Sequence, residues 1–360
     1  MKIVRPVLTN PGRRRLLSAA MLGAVLGGAA LSSGCASRVR TTNRDGTPFD
    51  TARVSQSAGL RIAQDGHAYV EADWTDDARQ RAVPVRLYLP FAAGPRPLVV
   101  FSHGLGGSRR GYSWLGRHFA RQGIASLHVQ HVGSDRALWG GSPFELVTRM
   151  SAAAQDVEAI ARVNDLRFAL DTLLALSADD PLYSQIDAER IVVAGHSYGA
   201  NTALLSIGAQ VMRDGGIVDL RDPRFAAAIL LSAPPFHGEP SMAPILRPVT
   251  APTLHVTTTE DDIRVPGYAS GVADRIAVFE ATGSQYKTLA VFRGGSHSIF
   301  TDRTTPGGPE LNARVKAATQ ELSVAFLDSA LANRHDALRA WRQRHGQIVA
   351  RFEKKPTLQV

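Results

Sequence analysis

The chain has 360 residues, 44% of them hydrophobic and 20% charged, so it is long enough for a self-sufficient globular core and has no coiled-coil or disordered bias. Its net charge of +9 is concentrated in residues 1–35, which hold five basic and no acidic side chains; the rest carries 36 basic and 32 acidic residues, a net of +4. The chain has no basic stripe interleaved with aromatic residues, which argues against nucleic-acid binding. Its single cysteine excludes an internal disulfide.

Residues 1–35 are predicted to be an export signal. Basic residues precede an apolar run over residues 16–31, which ends in small side chains and is short for a membrane span. The run of arginines over residues 13–15 resembles a twin-arginine signal. We therefore expect an exported protein of the periplasm or cell envelope.

Cys35 follows Leu31, Ser32, Ser33 and Gly34, a stretch that resembles a bacterial lipoprotein box. In that reading Cys35 is lipidated, becomes the new N-terminus and attaches the chain to a membrane. The match departs from the pattern because Ser32 stands where leucine is usual. Plain cleavage near Ala36 is the alternative, and the sequence leaves both open.

Residues 36–60 are rich in Ser, Thr, Arg and Gly and are predicted to be a flexible linker. Residues 61–352 are predicted to be one domain in which strands alternate with helices, followed by a tail over residues 353–360. Such alternation indicates an α/β fold with a mostly parallel central sheet flanked by helices.

In chain order the predicted elements are strands Val83–Leu89 and Leu98–Phe101, helix Ser113–Gln122, strand Ala125–Val129, helix Ala152–Leu176, strand Arg190–Ala194, helix Ala200–Gln210, strands Ala227–Leu231 and Thr253–Thr257, helix Val272–Phe279, strand Thr288–Phe292, and helices Pro309–Leu331 and Asp336–Arg351. Only about 20 residues separate the strand ending at Leu231 from the one beginning at Thr253, so no large cap domain is expected there.

The principal motif is Gly195-His196-Ser197-Tyr198-Gly199, which follows an apolar strand and opens into a helix. A strand, tight turn and helix of this kind form a nucleophile elbow, in which the serine hydroxyl is raised above the sheet. The elbow also places the Tyr198 backbone N–H at a helix N-terminus, where negative charge is stabilised. Ser197 is therefore the predicted nucleophile, and a structural turn with an inert serine is the alternative.

A serine hydroxyl needs a base within hydrogen-bonding reach. In the fold that uses such an elbow, the acid and then the histidine follow the serine along the chain. His297 lies in a Gly-rich loop directly after the strand Thr288–Phe292, whereas His335 and His345 lie in or beside C-terminal helices. His297 is the predicted base.

The second oxyanion donor is expected from the loop after the strand Leu98–Phe101, which reads Ser102-His103-Gly104-Leu105-Gly106-Gly107-Ser108. Its glycines allow the backbone N–H of Leu105 to turn inward, beside that of Tyr198. His103 is expected to be structural.

Together these motifs resemble the α/β-hydrolase superfamily, and within it the dienelactone-hydrolase-like and plasma-type platelet-activating-factor-acetylhydrolase-like branch, over roughly Val83 to Leu331. The resemblance implies an α/β-hydrolase fold with Ser197 as nucleophile, His297 as base and Leu105 and Tyr198 in the oxyanion hole. A serine at the elbow, in place of cysteine or aspartate, argues against dienelactone hydrolysis proper and against dehalogenation.

Three carboxylates compete for the acid, at Glu260, Asp261 and Asp262. By likeness to related sequences, counting from Pro252 favours Asp261 and counting back from Pro266 favours Asp262. Asp261 is preferred, and its role would be to orient the imidazole and stabilise the imidazolium.

Trp139 and Phe144 lie in a Gly-rich segment after the strand Ala125–Val129 and are predicted to line an acyl pocket, with packing of a surface loop onto the core as the alternative. No cofactor is predicted, because the chain has no phosphate-binding Gly-Lys loop or dinucleotide fingerprint. No metal site is predicted either, since His128 and His131 would point to opposite faces of a strand.

The predicted function is hydrolysis of carboxylic esters with short to medium acyl chains by a Ser-Asp-His triad, on a small-molecule or lipid ester. One alternative is a lipase, phospholipid or polyester hydrolase acting at an interface. Another is a catalytically silent, hydrolase-like envelope lipoprotein. The sequence does not reveal the natural substrate or the oligomeric state.

Overall fold

The computed structural model of the protein describes residues 60–62, 67–91, 94–179, 183–265, 267–303 and 308–356. The predicted export signal, Cys35 and all but the last residue of the predicted linker lie outside these ranges. None of the helices within them is long and apolar enough to cross a bilayer.

The strands of the described residues are β1 (Leu60–Ile62), β2 (Ala68–Asp76), β3 (Arg81–Leu89), β4 (Arg96–Ser102), β5 (Ala125–Val129), β6 (Ile186–His196), β7 (Gln210–Arg213), β8 (Gly216–Asp219), β9 (Phe225–Leu231), β10 (Thr253–Glu260), β11 (Ile263–Val265), β12 (Tyr268–Ser270), β13 (Lys287–Ser296) and β14 (Val349–Lys355). The α-helices are α1 (Ser113–Arg121), α2 (Leu146–Ala153), α3 (Asp156–Asp179), α4 (Tyr198–Ser206), α5 (Ala243–Leu246), α6 (Val272–Ala281), α7 (Gly308–Ala332) and α8 (Asp336–His345).

Ten strands form one sheet in the order β1-β2-β3-β5-β4-β6-β9-β10-β13-β14. The six strands from β5 to β13 in this order run parallel, and β1, β2, β3 and β14 are antiparallel at the two sides. After β4 the chain continues to β5, on one side of β4, and after β5 it continues to β6, on the other side of β4. The strand order therefore reverses between β4 and β6. In open α/β sheets, ligands bind beyond the carboxyl ends of the strands at such a reversal. The predicted mostly parallel sheet is confirmed.

The central strands are buried on both faces because helices cover each side. Leu98 and Val100 of β4 pack with apolar residues of α3 and α4, whereas Val99 and Phe101 pack with those of α1 and α7. Successive side chains of a strand point to opposite faces, which accounts for this division. Each such side chain stabilises the fold by about 1.5–3 kcal/mol, so the carboxyl ends of β4 and β6 rest on a rigid base.

The predicted helix Ala152–Leu176 is wrong in its extent, because two helices occupy this region. Helix α2 ends at Ala153, and α3 begins at Asp156. Asp156 and Glu158 lie in the first turn of α3, where carboxylates stabilise a helix N-terminus. The pattern of apolar residues did not reveal this new start.

The predicted helix Asp336–Arg351 is wrong in its C-terminal part. Helix α8 ends at His345, and Val349–Lys355 instead forms β14, antiparallel to β13. Pairing with β13 satisfies backbone N–H and C=O groups that a sheet edge would leave open. The sheet therefore continues past residue 352, where the sequence placed the start of a tail.

The connection between β9 and β10 holds only α5, a helix of four residues. This agrees with the prediction that no large cap is inserted there. A small hairpin of β7 and β8, not predicted from the sequence, projects after α4.

Candidate active site

Ser197 lies in the turn between β6 and α4 in a conformation rare for a residue with a side chain. Its φ is 54° and its ψ is −124°, and holding such a backbone costs about 1–3 kcal/mol. The turn persists because the backbones around it are in close contact. A Cβ on Gly195 would lie 2.1 Å from the carbonyl oxygen of Gly199, and a Cβ on Gly199 would lie 2.0 Å from that of Ser102. Both glycines are thus required by packing.

We expect the substitution Gly199→Ala to lower the free energy of unfolding by about 3 kcal/mol, because the added Cβ meets backbone that cannot move aside. Chemical denaturation measures this change. Gly346→Ala is the control, since its Cβ would meet nothing within 4 Å and its φ is −54°; it should leave stability within about 1 kcal/mol. A Gly199→Ala protein as stable as the wild type would contradict the packing argument.

His297 and Asp261 lie beside Ser197 at the carboxyl edge of the sheet. Ser197 Oγ is 2.8 Å from His297 Nε2, and His297 Nδ1 is 2.6 Å from Asp261 Oδ1. A carboxylate only accepts, so Nδ1 carries the proton and Nε2 of the neutral ring is free to accept from the hydroxyl. The three predicted residues, separated by up to 100 positions in the chain, thus form one hydrogen-bonded row.

Of the three competing carboxylates, Asp261 is the one that the structure brings to the histidine. It is fully buried, and its Oδ2 also accepts from Thr257 Oγ1 at 2.6 Å. Asp262 is exposed and lies 3.5 Å from Arg264, and Glu260 is exposed as well. Burial by itself raises the pKa of the Asp261 carboxyl, but the hydrogen bond from His297 and the charge of Arg275 hold it well below its usual range.

Leu105 and Tyr198 each present a backbone N–H at this edge. Tyr198 is the first residue of α4, so its N–H has no acceptor within the helix. In the turn after β4, the N–H groups of Gly104, Gly106 and Gly107 donate to Tyr112 Oη, Ser134 O and Gly104 O. No acceptor for the N–H of Leu105 is found among the described residues, so both predicted donors are unengaged.

His196, the second residue of the motif, joins two loops of the site through a hydrogen-bonded chain that sequence reasoning missed. Its Nε2 donates to the carbonyl oxygen of His297 at 3.0 Å, so its Nδ1 accepts from Tyr112 Oη at 2.9 Å. Tyr112 Oη in turn accepts from the N–H of Gly104 at 3.1 Å. We call these three residues, His196, Tyr112 and Gly104, the relay; burial lowers the pKa of His196 to about 3, which keeps it neutral.

Arg162, on α3, is fully buried and contacts residues next to both unengaged N–H groups. Its guanidinium donates to Thr202 Oγ1 at 2.9 Å, to Ser134 Oγ at 2.8 Å and to the carbonyl oxygen of His103. It also lies 4.4 Å from the ring centre of Tyr198. One cation therefore contacts the segments that carry both candidate oxyanion donors, a role with no local sequence signal.

A second row of serine, histidine and aspartate lies deeper in the molecule. His131 Nε2 is 2.9 Å from Ser102 Oγ, and its Nδ1 is 3.1 Å from Asp165 Oδ2. All three residues are fully buried, and Arg162 donates to Ser102 Oγ at 3.1 Å. Because Ser102 is fully buried, an ester cannot reach it, and this solvent access is what distinguishes the inner row from the row of Ser197, His297 and Asp261. We regard the inner row as structural.

His103 and His128, two further histidines singled out in the sequence, are buried and hydrogen-bonded. His103 Nδ1 donates to Gly104 O at 2.7 Å, and His128 contacts Ser126 Oγ and Gly111 O, each at 3.1 Å. Burial lowers the pKa of both rings, so they stay neutral. Within the described ranges, no group of three or more His, Cys, Asp or Glu residues could hold a metal ion.

Trp139 and Phe144 lie in different surroundings. Trp139 Nε1 donates to the carbonyl oxygen of Gly106 at 2.9 Å, and its ring covers that glycine beside the Leu105 turn while 49% of its surface remains exposed. Phe144 is 97% exposed. It neither lines an enclosed pocket nor packs onto the core, which differs from both readings of the sequence; a 3₁₀ turn over Pro143–Glu145 directs it outward.

Comparison with known proteins gives one family match. The model of the family described as platelet-activating factor acetylhydrolase, isoform II, matches residues 73–139, which are 67 of the 360 residues. The matched segment contains β3, β4, β5 and the Leu105 turn but neither Ser197, Asp261 nor His297. No curated protein sequence matches the chain.

Among solved structures, a PEG-bound complex of a cold-adapted esterase from an Arctic intertidal metagenomic library is 18% identical to this chain, with a TM-score of 0.48, and covers 68% of this chain and 91% of its own. The native structure of a cold-adapted esterase from an Arctic intertidal metagenomic library is 17% identical, with a TM-score of 0.43, and covers 68% and 90%. Because both TM-scores are below 0.5, these similarities do not establish the fold, which is assigned from the strand order of the chain itself. That strand order, the serine in the strand–turn–helix after β6 and the match to residues 73–139 assign the chain to the α/β-hydrolase superfamily.

Proposed function

We propose that the protein is a serine hydrolase that cleaves carboxylic esters with short to medium acyl chains through an acyl-enzyme intermediate. The observation that carries this proposal is the row from Ser197 Oγ through His297 to Asp261, with contacts of 2.8 and 2.6 Å. Serine, base and orienting acid in this geometry are the requirements for nucleophilic catalysis by a hydroxyl.

In the first half-reaction, His297 Nε2 takes the proton of Ser197 as Oγ attacks the carbonyl carbon of the ester. The carbonyl oxygen becomes an oxyanion, to which the N–H groups of Leu105 and Tyr198 donate. One such donor contributes about 3 kcal/mol to lowering the barrier. Asp261 stabilises the imidazolium, which then protonates the departing alcohol as the C–O bond breaks.

In the second half-reaction, a water molecule attacks the acyl group on Ser197, and His297 Nε2 takes a proton from that water. Collapse of the new oxyanion releases the carboxylic acid, and Ser197 Oγ recovers its proton from the imidazolium. The ester and one water molecule are consumed, the alcohol and the carboxylic acid are released, and Ser197 and His297 return to their starting protonation states.

A fluorophosphonate probe tests the proposal, because it reacts with serines activated by a neighbouring base. We expect one phosphonyl adduct, located at Ser197 by peptide mass spectrometry, and none in Ser197→Ala. A folded protein that stays unlabelled would favour a catalytically silent, hydrolase-like envelope protein. Labelling at any other serine would contradict the assigned nucleophile.

The relay leads to a further prediction. Tyr112→Phe removes one hydroxyl and leaves Gly104 N–H and His196 Nδ1 without partners, so both loops of the site lose a fixed position. We expect kcat for a p-nitrophenyl ester to fall about tenfold or more, since small misplacements at a reacting centre are costly. The control is Tyr286→Phe, whose hydroxyl is on an exposed side chain. Equal rates for the two variants would contradict the role of the relay.

A second candidate function is hydrolysis of lipid or polyester at an interface. It is favoured by exposed apolar side chains in the segment that follows β5, among them Phe144 (97% exposed) and Val147 (49% exposed). Rates across an acyl chain-length series, with and without micelles, separate the two functions. Interfacial action predicts a rise in rate when micelles form that Phe144→Ser abolishes, whereas Tyr286→Ser, at the amino end of β13, keeps it.

We also propose that the protein is exported to the periplasm or cell envelope, with lipidation of Cys35 or plain cleavage near Ala36 as the two processing routes. Mass spectrometry of the mature N-terminus tests this proposal. A diacylglyceryl group on an N-terminal Cys35 supports attachment, and an unmodified terminus near Ala36 supports simple cleavage.

A further inference from the structure

Arg275 is a buried cation that the fold does not account for. It lies on α6 with 2% of its surface exposed, and one terminal nitrogen donates to Ser270 Oγ at 2.9 Å. Its Nε and Nη2 have no hydrogen-bond partner within the described part of the chain. Burying a guanidinium with unpaired donors is unfavourable, so such a residue calls for a functional explanation.

The position of Arg275 suggests that explanation. Its Nη2 lies 3.6 Å from Asp261 Oδ1, the same oxygen that accepts the hydrogen bond from His297. This separation is too long for a hydrogen bond, but two unit charges in a buried setting interact strongly across it. Arg275 therefore acts on Asp261 through its charge, without a hydrogen bond.

The other titratable groups near the imidazole are neutral. The His196 ring centre is 4.8 Å from that of His297, and burial lowers the pKa of His196 to about 3. Tyr268, which precedes Ser270 in β12, is neutral because burial raises its pKa.

The other charged side chains on these elements are exposed or occupied elsewhere. Asp274, next to Arg275, accepts from the N–H of Gly271 at 2.8 Å at the start of α6. Asp262, Arg264 and Glu260 are exposed to solvent, which screens their charges. The Asp261 carboxylate and the Arg275 guanidinium remain as the buried charges beside the imidazole.

We propose that Arg275 is a positioning residue that acts through Asp261. Its positive charge disfavours protonation of His297 and so keeps the ring able to accept from Ser197 at lower pH. The inference rests on the proposed serine-hydrolase function. A carboxylate alone stabilises the imidazolium, and a guanidinium on the same oxygen opposes that effect. Removing the guanidinium should therefore let the ring take up its proton at higher pH.

The pH dependence of kcat/KM tests this sign. We expect the acidic limb to move upward by about one pH unit in Arg275→Met, while Arg275→Lys, which keeps the charge, and Ser270→Ala, which removes only the hydrogen bond, stay close to the wild type. A loss of structure alone would lower the rate at every pH without moving the limb. A limb that stays in place or moves downward in Arg275→Met would overturn the proposal, as would an equal movement in Arg275→Lys.

A second measurement needs no turnover. In a Ser197→Ala background with ¹³C-labelled histidine, the His297 resonance, assigned by its loss in His297→Gln, should titrate at higher pH when Arg275 is replaced by Met. Arg275→Gln, whose amide can still reach Ser270, serves if the Met variant does not fold. If the wild-type protein hydrolyses no ester, the proposed function is refuted, and the His297 titration still tests the role of Arg275. If the His297 titration does not move in a folded Arg275→Met or Arg275→Gln protein, the role of Arg275 is refuted.

Discussion

Ser197→Ala is expected to lower kcat for p-nitrophenyl esters by about 10⁶, the scale found when the nucleophile of a serine hydrolase is removed. The methyl side chain cannot attack the carbonyl, and only the oxyanion donors and substrate binding remain. Rates in a p-nitrophenyl acetate to octanoate series measure the loss, and circular dichroism reports folding. The substitution removes only one hydroxyl, so the free energy of unfolding should change little.

His297→Ala is expected to cost about as much, because the hydroxyl without its base is a poor nucleophile. The double variant Ser197→Ala/His297→Ala should be no slower than either single variant, since the two residues act as one unit. If the two losses multiplied, or if Ser197→Ala kept a tenth of the wild-type rate, the row at the carboxyl edge would not be the catalytic group.

Asp261→Asn is expected to lower kcat by about 10⁴, as when the acid of a serine triad is replaced by its amide. The amide can donate to His297 Nδ1, which favours the tautomer with the proton on Nε2. That ring cannot accept from Ser197. The same steady-state assay measures the effect.

Asp262→Asn is the matched control, being the neighbouring carboxylate with the same change of one atom. It is exposed, and its carboxylate lies 3.5 Å from Arg264, so kcat should stay within about twofold, as for most surface substitutions. A larger loss from Asp262→Asn than from Asp261→Asn would transfer the acid to residue 262.

The elbow could be predicted from the sequence because its constraints are local. A continuously apolar strand, a five-residue turn and a helix follow one another in the chain, and Gly195 and Gly199 mark the places where backbones touch. Distant contacts at the elbow, such as that from Gly199 to Ser102, only strengthen a pattern that is already visible.

Elements at the edges of the sheet were predicted less well, because their conformation depends on a partner strand. The sequence predicted that the helix beginning at Asp336 continues to Arg351, yet Val349–Lys355 forms a strand because β13 offers an open edge to pair with. Intrinsic preference is weak beside a row of backbone hydrogen bonds.

By itself, the amino-acid sequence predicted the fold class and singled out Ser197 and His297 as the proposed nucleophile and base, because each is set by a short stretch and its place after a strand. The sequence preferred Asp261 but left Asp262 open, and the tertiary structure separates the two, because Asp261 is buried against the imidazole while Asp262 is exposed. Contacts between distant segments, such as Arg275 with Asp261 and Tyr112 with His196, likewise arise only when the strands are brought side by side, since nothing in the local chain encodes a distance across the sheet.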